Sequence, residues 1–176
     1  MLGIYLGDGH IARHPRNVYR LTVSLDSRYP SIIHEASTAI HAVRPDNSVY
    51  EVHRPGRVEV ASYSKAWPCL LPQHGPGKKH ERRIVIEAWQ RPLIEARPEL
   101  LLRGLIHSDG WRSINTGRGG WRHPRYSFSN RSLDILGIFR MACDLLALRW
   151  TTTRHTVYVS RKADVARMDE FVGPKS

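Results

Sequence analysis

LGIYLGDG at residues 2–9 and LRGLIHSDG at residues 102–110 repeat one another. Each is an apolar run with small residues four apart, Gly3 with Gly7 and Gly104 with Ser108, and each closes on an aspartate followed by glycine. On a helix that spacing sets both small residues on one face, where two helices can pack backbone to backbone. Asp8 and Asp109 are then expected side by side at the paired helix ends. Carboxylates are disfavoured at helix C-termini and repel each other. A divalent cation relieves both penalties, so the pair reads as a metal site.

The chain of 176 residues is long enough for one ordinary domain or two small halves. Its net charge of +11 points to a polyanionic partner, and 22 arginines against 5 lysines suit phosphates and guanine edges. Nucleic acid is favoured over a membrane surface, because no basic amphipathic helix and no bilayer-length apolar run is present. With no secretory n-region, an intracellular, cytoplasmic location is expected. Cys69 and Cys143 are isolated and read as two buried, reduced thiols. The ten histidines form neither HExxH nor any other zinc spacing.

Both halves read as the same succession of elements. In the first, HIARH and VYRLTVSL flank a Pro15–Arg16–Asn17 turn, Pro30 opens a helix, SVYEVHR and RVEVASYS form a hairpin, and a short helix follows at 65–71. Residues 72–79 read as a Pro/Gly/Lys loop. The segment IVIEAWQRPLIEA reads as helical in part, with a break at Pro92. In the second half, WRSINT and RYSFSN surround a loop at 117–125, Ser132 caps a helix, RWTTTR and TVYVSR form a hairpin, and a last helix covers 162–171. The domains expected are 1–79 and 98–176, joined by a partly helical linker at 80–97. Ser64 and Ser160 end matching strands, and the same interval separates Ser64 from Lys79 and Ser160 from Lys175. Each half therefore offers one aspartate and one lysine as a candidate catalytic set.

RGLIHSDG at 103–110 and IYLGDG at 4–9 resemble the motif of the LAGLIDADG homing endonucleases, in the single-chain form with two motifs per polypeptide. The resemblance implies an α+β fold of two pseudo-symmetric αββαββα halves, motif helices packed at the centre, and antiparallel sheets forming a saddle over double-stranded DNA. It implies a monomer that cuts a long, asymmetric site across the minor groove, leaving short 3′ overhangs. The motif acids, Asp8 and Asp109, would hold divalent metal with the backbone carbonyls of Gly7 and Ser108. Mg²⁺ is the expected cofactor; Mn²⁺ or Ca²⁺ would also occupy the site, Ca²⁺ without supporting cleavage. The family's catalytic-centre lysine maps to Lys79 and Lys175, with Lys78 an alternate for the first. The first motif opens at Met1, so its helix is expected to span only about two turns.

Recognition is expected on the sheets. Arg20, Thr22 and Ser24 alternate with inward Tyr19, Leu21 and Val23; Arg125, Ser127 and Ser129 alternate with inward Tyr126 and Phe128. Arg54, Arg57, Arg118, Arg122 and Arg154 fall on hairpin or loop tips, where phosphate contacts are the expectation. The plain alternatives make the two acids C-caps before turn glycines, the lysines solvated loop residues and the arginines solvent contacts. A non-cleaving DNA-binding regulator of the same fold and an intron RNA maturase are the rival functions; both motif acids being present favours the nuclease. The run Gly3–Ile4–Tyr5 opens a GIY-YIG signature, but no YIG follows. Terminal splicing residues of an intein are also missing.

Overall fold

A computed structural model describes residues 1–117 and 119–176; Arg118, expected at a phosphate, lies outside the described residues. The first compact unit comprises Met1–Pro76 with Pro174–Ser176, and the second Gly77–Gly173. Residues 80–97 thus pack with the second unit.

In the first unit, α1 (Leu2–Asp8) runs into β1 (Gly9–His14), followed by β2 (Val18–Asp26), α2 (Pro30–Val43), β3 (Val49–Arg54), β4 (Arg57–Ser64) and the single turn α3 (Trp67–Leu70). The sheet is antiparallel, in the order β1-β2-β4-β3. Each element has a local cause. Pro30 sits in the first turn of α2, where its missing N–H is no loss. Gly56 adopts φ +74° in the β3–β4 turn, which an L side chain resists. Ile32, Ile33, Ala36 and Ile40 make the buried face of α2. They meet a sheet face made of Leu21, Val23, Leu25, Val58 and Val60, all buried. Trp67 closes this core, its indole N–H donating to the Ser62 carbonyl at 3.1 Å.

The second unit repeats the plan with α4 (Arg91–Ala96), α5 (Pro98–Asp109), β5 (Gly110–Thr116), β6 (Arg122–Ser129), α6 (Leu133–Leu145), β7 (Thr151–Thr152), β8 (Thr156–Val159) and α7 (Lys162–Val172). Its sheet order is β5-β6-β8-β7, again antiparallel. The Ser132 hydroxyl caps α6 by accepting from the Ile135 N–H. Phe128 and Phe139 stack in the core with ring centroids 4.6 Å apart. Asp169 of α7 accepts from the Arg112 guanidinium and the Tyr126 hydroxyl. The guanidinium holds that carboxyl below the usual carboxylate range, while burial pushes the Tyr126 hydroxyl up. Among the described residues no helix is long and apolar enough to cross a membrane.

Four expectations are corrected. Pro92 opens α4 rather than breaking a helix, and the residues before it are outside any helix: Ile84 and Ile86 are buried at alternate positions, the Ile84 N–H donates to the Asp134 carboxylate at 2.7 Å, and residues 88–90 make a turn. The loop expected at 117–125 ends earlier, because β6 begins at Arg122. Lys79 leaves the preceding loop to start a short 3-10 turn, Lys79–Glu81. Cys143 is buried as expected, but Cys69 is exposed.

Candidate functional site

Asp8 is the last residue of α1 and Asp109 the last of α5, and each helix passes directly into the first strand of its own sheet. The glycines that follow are helix C-caps, but neither makes a turn. Gly9 has φ −86° and ψ 149°, and Gly110 has φ −106° and ψ 169°, both extended. Glycine is required for a different reason. A Cβ on Gly9 would lie 2.6 Å from the Cα of Tyr5, and one on Gly110 would lie 2.7 Å from the Cα of Ile106. The strand leaves so close to the helix's last turn that only a hydrogen fits between them. That join fixes where the aspartate's backbone stands. Gly9→Ala or Gly110→Ala is therefore expected to destabilise its unit by about 1–3 kcal/mol through overpacking. Urea unfolding measures this, and an unchanged midpoint would show that the join relaxes freely.

The Gly9 N–H bonds the Tyr5 carbonyl, and the Gly110 N–H the Ile106 carbonyl. Gly7 and Ser108 therefore lie in the last turns of their helices, beside the two aspartates. Carboxylate and carbonyl oxygens are the donors that Mg²⁺ and Ca²⁺ take, and Mg²⁺ keeps several waters beside one or two carboxylates. Among the described residues, no group of three or more His, Cys, Asp or Glu side chains gathers as a metal site. The fit consequently rests on one aspartate per unit with its adjoining carbonyl, an all-oxygen set suited to a hard divalent ion rather than to zinc.

Asn130 reaches the second acid. The Asn130 side-chain amide donates to Asp109 Oδ2 at 2.7 Å, while its own oxygen accepts from the Ser132 N–H at 2.8 Å. Its backbone N–H donates to the His155 carbonyl, so Asn130 is held from three sides. Ladder register places Asn130 two residues beyond Phe128, the partner of Gly110. The matching residue of the first sheet, two beyond Val23, is the buried Leu25. At this ladder position the second sheet thus offers an amide where the first has a leucine. The signal for Asn130 was in the sequence, since the alternation of Tyr126 and Phe128 puts a polar residue in the next inward slot.

The lysines are less alike than their spacing suggests. Lys79 packs with the second unit, which carries Asp109, and Lys175 with the first, which carries Asp8. Register also shifts the correspondence. Val23 pairs with Val60 and Phe128 with Val157, so Tyr63, not Ser64, is the counterpart of Ser160. The helices before the two lysines differ as well, one turn in α3 against eleven residues in α7. Lys78 is ion-paired with Glu81 at 3.5 Å.

On the first sheet's outer face, Arg20, Thr22 and Ser24 stand opposite Tyr63, Ala61 and Glu59 of β4. Arg54 and Arg57 face each other at the exposed end of the β3–β4 hairpin. On the second sheet, Arg125 lies 4.6 Å over the Tyr158 ring, a cation–π contact. Ser127 shares that face, but it is only 1% exposed and its ladder neighbours are Trp111 and Tyr158, rings large enough to cover it. The Ser129 hydroxyl is engaged with that of Thr156 at 2.6 Å. Ser127 is thus a correction to an expected row of outward hydroxyls, whereas Ser129 keeps partial exposure. Arg122 sits in the first ladder pair of β6, opposite Thr116, rather than in a loop, and Arg154 is exposed between β7 and β8.

No family model matches the chain, and no curated protein matches it. Solved structures do. The homing endonuclease I-DmoI in complex with DNA and Mn superposes with a TM-score of 0.65 at 13% identity, covering 98% of this chain and 94% of that one. The LAGLIDADG meganuclease I-AabMI bound to uncleaved DNA gives 0.57 at 11% identity, covering 97% and 80%. The N-terminal LAGLIDADG domain of WhiA gives 0.56 at 17% identity, covering 98% and 80%. The chain has the α+β LAGLIDADG fold, with two four-stranded antiparallel sheets.

Proposed function

We propose that this chain is a site-specific, divalent-metal-dependent double-strand DNA endonuclease acting as a monomer. The observation that carries the reading is the join built twice: a helix closing on aspartate, a glycine that tolerates no side chain, and the first strand of a sheet of identical order. Ordinary helix ends do not need such a join in duplicate. The net charge of +11 supports a polyanionic substrate. Structures of the same fold, I-DmoI with DNA and Mn or Ca among them, support the substrate class.

In this reading Asp8 and Asp109, with the carbonyls of Gly7 and Ser108, hold Mg²⁺, for which Mn²⁺ or Ca²⁺ substitutes. The bound ion supplies Lewis-acid charge neutralisation at the phosphate and a water of lowered pKa. Lys79 and Lys175 stabilise charge developing on phosphoryl oxygens or orient the attacking water. Arg20, Thr22, Ser24 and Arg125 face base edges in the major groove. Arg54, Arg57, Arg122 and Arg154 grip phosphates, and the same role is proposed for Arg118.

Selection from a randomised duplex library in Ca²⁺, followed by transfer of the bound duplexes to Mg²⁺, tests the function. Enrichment of one sequence that is then cut on both strands supports the endonuclease. Enrichment without nicking in Mg²⁺ or Mn²⁺ would instead establish a non-cleaving DNA-binding protein. Tighter binding to structured intron RNA than to any duplex would favour the maturase.

Asn130 gives a sharper expectation. It orients the Asp109 carboxylate, and the first unit has Leu25 in its place. Asn130→Ala is expected to slow cleavage of one strand by about 10–100-fold, the usual effect of removing a group that orients a metal ligand. Nicked duplex should then accumulate. Equal slowing of both strands would contradict a one-sided role.

A further inference from the structure

Glu59 is out of place on a face that is to meet DNA. It lies on β4, opposite Ser24 of β2, among the outward residues of the sheet's two central strands. An acid there repels phosphates. Its side chain is 14% exposed and each carboxylate oxygen takes one arginine: Arg20 Nη2 donates to Oε2 at 3.3 Å, and Arg57 Nη2 to Oε1 at 3.3 Å. Arg20 is the more covered of the two, 26% exposed against 59% for Arg57. Both bonds are longer than the 2.7–2.9 Å usual for such charge-assisted pairs, so they tether without saturating.

The geometry explains how Arg20 reaches the acid. Arg20 stands opposite Tyr63, and Ala61 is the outward residue of β4 between Tyr63 and Glu59. A small residue there leaves a lane along the sheet for the arginine side chain. Ladder register makes Arg125 the counterpart of Arg20, Tyr158 that of Ala61, and Thr156 that of Glu59. In the second sheet the lane is filled by a ring, and Arg125 stacks on it. Arginines at one register position are therefore held by a carboxylate in one sheet and by an aromatic face in the other.

We propose that Glu59 is a specificity-determining residue of the first sheet, an inference that rests on the DNA-binding reading above. The carboxylate cancels charge that would otherwise strengthen sequence-independent phosphate binding. It also fixes the Arg20 guanidinium along the sheet, so its remaining N–H groups read guanine O6 and N7 while Glu59 can accept from a cytosine amino group. The first sheet accordingly selects a G·C pair at the Arg20 position. The second, with Thr156 in the acid's place, gains no such constraint.

Selections from a randomised duplex library in Ca²⁺ with wild type, Glu59→Gln, Arg20→Lys and the double variant decide the matter. Wild type should enrich a G·C pair at one position of one half-site. Glu59→Gln should lose that preference by about tenfold. It should also bind unselected duplex several-fold more tightly, with the salt dependence steepened by about one phosphate contact. Arg20→Lys, which keeps the charge and loses the fork, should lose the same preference, and the double variant should lose no more. Should Glu59→Gln not fold, Arg20→Lys alone decides: an unchanged preference overturns the proposal. It is equally overturned if Glu59→Gln keeps the wild-type preference at every position, or shifts the other half-site instead. Wild type enriching no sequence would overturn the DNA-binding reading itself, a distinct failure.

Discussion

Asp109→Asn is expected to lower Mg²⁺-dependent cleavage by about 10³-fold or more while leaving duplex binding in Ca²⁺ within a few-fold of wild type. The substitution keeps the side chain's shape and an oxygen that can accept from Asn130, so the 2.7 Å hydrogen bond survives. What disappears is the negative charge that a hard cation requires. Asp8→Asn should behave likewise, since it closes a helix on the same join. Cleavage is measured under single turnover on end-labelled duplex, with urea unfolding as the check on the fold. Should each variant spare a different strand, one acid serves each strand. Should either retain full activity on both, that acid is no metal ligand.

Phe128→Ala should be the most damaging change to stability, at about 3–5 kcal/mol. Phe128 is completely buried and lies flat against Phe139, with 8° between the ring planes. Its ladder partners are Gly110 on one side and Val157 on the other. A large ring opposite a residue without a side chain fills the space beneath the join that carries Asp109. Its loss leaves a cavity that the glycine cannot fill. Because natural domains are stable by only about 5–15 kcal/mol, this takes a large share of the total. The midpoint of urea unfolding should fall sharply with its slope unchanged. A loss below about 1 kcal/mol would mean that the core collapses readily onto the gap.

What could be read from the chain alone follows where local chemistry decided the structure. Pro30 and Ser132 mark helix starts, Pro55–Gly56 marks a turn, and Tyr19, Leu21 and Val23 alternate as a half-buried strand should. The duplicated motif gave the repeat, and sheets of the same order bear it out. Two misreadings concern where an element begins. Glycines and arginines made 117–125 read as loop, yet β6 begins at Arg122, and its Pro124 is tolerated because β8 pairs only with Tyr126–Ser129, leaving Pro124 a strand neighbour on one side alone. Pro92 likewise opens a helix, as proline in a first turn can.

The site was legible to the same degree. The aspartates were marked by repetition, but the reason for their glycines was not: close approach to Tyr5 and Ile106, rather than a turn, is a matter of three-dimensional contact. Glu59 escaped notice because its meaning comes from Arg20, 39 residues away and brought near only by β2–β4 pairing. Ser127 was read correctly for its face and wrongly for its exposure, since strand alternation cannot show that Trp111 and Tyr158 flank it.

The most direct measurement is strand-resolved cleavage of the selected duplex by the wild-type chain, with Mg²⁺ titrated in after chelation. Both strands should be cut as Mg²⁺ rises and neither in its absence, with the Asp8→Asn, Asp109→Asn double variant inert at every concentration. Tight, selective binding with both strands intact at saturating Mg²⁺ and Mn²⁺ would contradict the account, as would cleavage by the double variant.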